Sequence, residues 1–114
     1  MYERSIFVFG SNLAGRHRKG AALFAKQNYG AIYGQGVGLQ GNSYAIPTKD
    51  LELKTLPLKH INYFIDLFID FAINHPEYIF NLTRIGCGLA GYSNAQIAPM
   101  FKNAPNNVNK PTGW

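Results

Sequence analysis

Carboxylates are scarce in this chain: six Asp and Glu stand against eleven Lys and Arg, a formal net charge of +5 over 114 residues. Charged residues reach only 15%, below the roughly 25% of an average globular protein, which excludes a disordered tail, a coiled coil and a highly charged linker. The single cysteine, Cys87, excludes an internal disulfide and a Cys-rich metal site. Three scattered histidines have no ligand spacing, so neither a metal nor another cofactor is expected. A reduced, cytoplasmic setting fits this composition. No apolar run approaches the ~20 residues of a membrane span. The opening Met1-Tyr2-Glu3-Arg4 carries acid and then base before a short apolar run, which differs from a signal peptide, and no membrane partner is expected. Apolar residues nevertheless make up 46% and aromatics 14%, enough for a proper core. The length fits a single domain spanning residues 1–114, since chains usually divide only beyond roughly 250 residues.

The six acids are Glu3, Asp50, Glu52, Asp66, Asp70 and Glu77, so residues 4–49 and 78–114 contain no carboxylate. The first of these zones carries Arg4, Arg16, Arg18, Lys19, Lys26 and Lys49. Such a field attracts anions, whether phosphate, nucleotide or nucleic acid; the plainer reading is a basic surface that aids solubility.

Ser5-Ile6-Phe7-Val8-Phe9 is a continuous apolar run stopped by Gly10, as in a strand buried on both faces. A polar, glycine-bearing stretch leads into Ala21–Gln27, which reads as a helix closing before Gly30. Gly34-Gln35-Gly36-Val37-Gly38-Leu39-Gln40-Gly41 reads as loop, and Ser43–Ile46 as a short strand ended by Pro47. Ile61, Phe64, Ile65, Phe68, Phe71 and Ala72 recur at helical spacing from Pro57 to His75-Pro76, with Asn62, Asp66, Asp70 and Asn74 as the polar stripe. Tyr78–Thr83 is a second core strand, followed by Arg84-Ile85-Gly86-Cys87-Gly88-Leu89-Ala90-Gly91-Tyr92, a short helix from Asn94 to Lys102 and a loop tail. This alternation predicts an α/β fold around a mostly parallel mixed sheet.

Two glycine clusters follow apolar strands and precede helices. In a parallel sheet both lie at the carboxyl edge, where open α/β folds bind ligands. Glycine lets backbone amides face an oxyanion, and a following helix N-terminus adds partial positive charge. Two facing loops of this kind suit a diphosphate. Neither a P-loop nor the dinucleotide fingerprint Gly-x-Gly-x-x-Gly is present.

Arg84-Ile85-Gly86-Cys87-Gly88-Leu89 resembles the second phosphate loop of macro domains, the ADP-ribose-binding modules, and within them the terminal ADP-ribose glycohydrolase branch. Gly20-Ala21-Ala22-Leu23-Phe24 and Ala45-Ile46-Pro47-Thr48-Lys49 resemble further landmarks of that branch in the same order, so the likeness covers most of residues 5–101. It implies a compact, three-layer macro-like fold. It implies that Gly86, Cys87, Gly88 and Leu89 wrap a diphosphate, that Gly20 lies near the distal ribose, and that Ser11 or Asn12 lines the pocket with Gly10. Lys49 falls at the family's catalytic lysine, the nucleophile toward the anomeric carbon. The family's aspartate after Gly-Cys-Gly-Leu is here Ala90, which removes the group that would act as base, and Arg18-Lys19 replaces small residues before Gly20.

Other readings stand beside these. Lys49 is equally a surface lysine, and Asp50 substitutes for the missing acid only if it turns to the same face, which adjacent strand residues do not. Arg16, His17, Arg18 and Lys19 either clamp phosphates or form a solvated loop. Cys87 reads as a small residue more readily than as a nucleophile. Tyr92, after Gly91, either stacks on a base or ribose or packs in the core, and Asn12 either meets a ribose hydroxyl or favours the turn.

The expected function is binding of ADP-ribose or a related nucleotide diphosphate, with hydrolysis of ADP-ribosyl linkages on protein or nucleic acid as the catalytic version. The alternative is a nucleic-acid-binding protein using the basic 4–49 zone, although its aromatics fall in apolar strands and a helix, as core residues would. Oligomeric state is not legible.

Overall fold

The structure is a computed structural model and describes residues 2–114. In chain order the elements are strand β1 (Arg4–Asn12), helix α1 (Gly20–Asn28), strands β2 (Gly38–Gln40) and β3 (Ser43–Lys49), helix α2 (Leu58–Ile73), strand β4 (Tyr78–Leu82), a short helix α3 (Asn94–Ile97) running into a 3₁₀ turn (Ala98–Phe101), and strand β5 (Val108–Asn109). The sheet order is β2-β3-β1-β4-β5, with β2–β3 antiparallel and the other pairs parallel. This is an α/β fold with a mostly parallel mixed sheet, as the sequence predicts.

The pleat of β1 decides the layers. Ile6 and Val8 point to one face and join Tyr44, Ile46, Phe80 and Leu82 beneath α2, whose Ile61, Ile65, Phe68, Ile69 and Ala72 are buried. Phe9 points to the other face and packs with Ala45 against Ala22 and Ala25 of α1. Successive side chains alternate across a strand, so a run apolar at every position is buried on both sides. Helices therefore cover both faces, and Ile97 and Phe101 join the α2 side.

Three departures from the sequence reading concern segments held by partners rather than by their own pattern. Residues 38–40 form β2 inside the glycine-rich stretch read as loop, and 108–109 form β5 inside the tail. β3 continues through Pro47 to Lys49. The Phe7 amide donates to the Asn42 carbonyl, and the alternation that follows turns the Pro47 nitrogen toward β2, which has already ended opposite Ala45. No ladder bond is lost there, so proline is tolerated.

The connections set the crevice. β1 and β4 are neighbours, yet the chain leaves β1 toward α1 on one face and leaves β4 toward α3 on the other. Loops that diverge from adjacent parallel strands open a gap between their carboxyl ends, the place where α/β sheets accept ligands.

Candidate functional site

That gap is a cleft of about 770 Å³ bounded by three strand ends: Gly10, Ser11 and Asn12 from β1, Thr48 and Lys49 from β3, and Thr83 through Ala90 after β4, with Arg16 and Arg18–Ala22 closing one side. The two glycine loops meet across it. A Cβ on Gly10 would lie 3.8 Å from the Gly86 nitrogen, and one on Gly20 would lie 3.9 Å from Cδ1 of Leu89.

The first loop is rigid because its polar side chains are tied to backbone. Asn12 accepts from the Arg16 amide at 2.9 Å and donates to the Arg16 carbonyl at 3.1 Å, so it holds its own turn. Ser11 donates to the Gly36 carbonyl, and Thr48 to the Ser11 carbonyl at 3.2 Å. Ser11 and Asn12 line the cleft, but their side chains shape its floor. His17, 1% exposed, donates from Nε2 to the Gln35 carbonyl at 3.0 Å and packs edge-on against Phe9. It is a brace and does not line the cleft, which leaves Arg16, Arg18 and Lys19 as the phosphate-facing candidates of that loop.

Gly36 serves this bracing. A Cβ on Gly36 would lie 2.2 Å from the Asn12 carbonyl oxygen, a distance no side chain survives, so backbone lies directly on backbone. Gln40, buried, accepts from Ile32 N at 2.7 Å and donates to Gln35 O at 3.1 Å, locking the segment behind the loop.

The second loop supplies donors. Cys87 N binds Arg84 O, Gly91 N binds Gly88 O and Tyr92 N binds Gly86 O, whereas the amides of Gly86, Gly88, Leu89 and Ala90 donate to no group of the described residues. The first-turn amides of α1 are also uncapped, since Lys19 at the N-cap makes no side-chain cap hydrogen bond; the first amides of a helix have no partner inside it. The helix after the second loop adds nothing comparable. α3 has four residues and its own Ser93–Gln96 capping box, so the expected dipole contribution from that side is absent.

Arg16, Arg18, Lys19, Lys49 and Arg84 contribute to the cleft wall, and no Asp or Glu does. The Nζ of Lys49 makes no hydrogen bond or ion pair among the described residues. Arg84 turns its guanidinium away, donating to Asn94 Oδ1 and Thr112 O, each at 2.8 Å, beside Trp114. Asp50 does not restore the missing acid: its carboxylate accepts from the amides of Glu52 at 2.8 Å and Lys54 at 2.9 Å. That turn presents Leu53, with φ of 65°, to the cleft, a residue no sequence signal marked. Burial pushes the Cys87 thiol up from its ordinary pKa, partly offset by Arg84, so the thiol of this cleft residue stays protonated near neutrality.

Of the residues singled out in the sequence, Gly91 and Tyr92 do not line the cleft. Tyr92 packs against the main core and donates its hydroxyl to Leu56 O at 2.7 Å, which is the core role. Arg18 and Lys19, read as phosphate clamps or a solvated loop, line the cleft, and Thr48 and Thr83 join them. Among the described residues no cluster of His, Cys, Asp or Glu would hold a metal ion, and no helix is long and apolar enough to cross a membrane.

No protein-family description matches the sequence, and no curated protein matches it. The fold is similar to that of a solved structure, a protein of unknown function from Bacteroides thetaiotaomicron, at 18% identity and a TM-score of 0.61 over 89% of this chain and 80% of that one. The likeness concerns the fold alone.

Proposed function

We propose that the cleft binds ADP-ribose or a related nucleotide diphosphate, as the resemblance of the Arg84–Leu89 segment to macro domains implies. The observation that carries the reading is the convergence of uncommitted backbone donors with an acid-free lining. The four unbonded amides of the second loop and the uncapped start of α1 belong to residues lining a cleft whose wall also carries Arg16, Arg18, Lys19 and Lys49 and no carboxylate. Oriented amides and a helix N-terminus favour phosphate oxygens, and the first-loop cations Arg16 and Lys19 strengthen that preference.

Binding is favoured over hydrolysis. Lys49 lines the cleft, but a lysine nucleophile needs a group that accepts a proton. Ala90 stands where the family that the Arg84–Leu89 segment resembles has its acid, and Asp50 is engaged by its own turn.

Calorimetry with ADP-ribose tests the proposal. Heat that saturates with one equivalent supports it. Absence of binding by ~0.5 mM, weaker than about 4.5 kcal/mol of affinity, refutes it. Gly88 has open space around its Cβ position, so Gly88→Asp keeps the fold and sets a carboxylate beside the phosphates; it is expected to weaken binding at least about tenfold.

A further inference from the structure

The basic zone extends outside the cleft in a way the sequence pattern hid. Its aromatics are not all core: Phe7 and Phe9 lie in β1, but Phe24 is 47% exposed and Tyr33 is 45% exposed. Tyr33 is reached from the cleft rim through one side chain. Arg18, which lines the cleft, donates from Nε to the Tyr33 hydroxyl at 2.9 Å. The Arg18 guanidinium carbon lies 5.8 Å from the Tyr33 ring centre, and Lys26 of α1 places Nζ 5.4 Å from it. Arg18, Tyr33 and Lys26 thus form a continuous row from the cleft mouth along the α1 surface, with Ile32, 52% exposed, beside it in sequence. Gly34 N bonds to Gly15 O at 2.8 Å, so the segment carrying Tyr33 is fixed to the first loop. The zone from 4 to 49 has no acid to repel an anion. Arg4 is not part of the row, since it is bound at the other end of β1 to Asn42 and the Gly41 carbonyl.

We propose that this row is a docking track for single-stranded nucleic acid, leading to the cleft mouth. An exposed ring flanked by cations offers a stacking platform for one base and phosphate contacts on either side. A duplex hides its base faces, and an acidic side chain has no aromatic face to stack, so Tyr33 selects the single strand. The track shares Arg18 with the cleft rim, while Tyr33 and Lys26 stand outside the cleft lining.

Fluorescence anisotropy with a labelled 12-nucleotide single-stranded DNA tests it. The row's two cations, Arg18 and Lys26, predict a slope of log affinity against log salt of about −1.4. Lys26→Glu and Tyr33→Ala, both exposed positions, should each weaken binding about fivefold or more. Lys102→Glu, a charge reversal in the other acid-free zone, should change it less than about twofold. A flat salt response overturns the proposal, as does duplex DNA or polyglutamate binding equally well, or Lys102→Glu weakening binding as much as Lys26→Glu. Calorimetry with free ADP-ribose on the same preparations reads the cleft separately, so either assignment fails without the other.

Discussion

Gly86→Ala is the perturbation that best separates loop geometry from ligand chemistry. Gly86 sits at φ of +77°, and an added Cβ would lie 3.2 Å from Cδ1 and 3.4 Å from Cγ1 of Ile97. The left-handed backbone costs an alanine roughly 1 to 2 kcal/mol. Ile97 is fully buried, so it yields to the new methyl only by disturbing a close-packed core, which adds roughly 0.5 to 1 kcal/mol. The sum is about 2 kcal/mol, which for a domain of this size lowers Tm by roughly 8 °C. Gly88→Ala is the control two residues away: its φ is ordinary and its Cβ meets open space. Its stability should stay within ~0.5 kcal/mol or rise through a less flexible unfolded chain. Urea unfolding followed by circular dichroism measures both, with the midpoint shifting and the slope unchanged. Equal midpoints for Gly86→Ala and Gly88→Ala would refute the described loop conformation.

Alkaline conditions should expose the burial of Tyr44. Burial pushes its hydroxyl from 10.0 up to about 12, so the folded protein keeps a proton that the unfolded chain releases. Its contribution is therefore complete below pH 10 and is lost as pH rises toward 12, by at most roughly 3 kcal/mol; urea midpoints across that range should fall, and Tyr44→Phe should remove this component of the fall. Asn107, 7% exposed, donates to the carbonyls of Ala72 at 3.1 Å, His75 at 3.0 Å and Tyr78 at 3.1 Å, tying the end of α2 to β4. Asn107→Leu should cost about 2 to 3 kcal/mol in urea unfolding by leaving those carbonyls short of a donor; a cost below ~0.5 kcal/mol would contradict that role.

Much of the frame was legible because periodicity is local. The α2 face from Ile61 to Ala72 and the unbroken apolar run of β1 each reveal which sides are covered. β2 and β5 were not, since three and two residues carry no pattern and exist only through β3 and β4. The convergence of the strand-end loops followed from α/β connectivity. The use made of individual residues did not: Ser11, Asn12 and His17 are polar groups near a cleft, and only tertiary hydrogen bonds show that they hold backbone. Tyr92 follows the second loop in sequence, yet the turn at Gly91 carries its ring to the core. Leu53 enters from a turn whose shape depends on the Asp50 carboxylate. Phe24 and Tyr33 look like core by composition, yet Phe24 lies on the outer part of α1 against Phe7 and Tyr29, and Tyr33 lies in the turn after that helix; both are exposed.

The proposed anion sits between two sets of unbonded amides at one rim of the parallel strands. Titration of isotope-labelled protein with ADP-ribose, followed amide by amide in NMR spectra, interrogates both sets at once. Saturable shifts at Gly86, Gly88, Leu89 and Ala90 together with Gly20, Ala21 and Ala22 are the predicted result. Shifts confined to one loop, or gathered on the α2 face while these seven amides stay still, would contradict it.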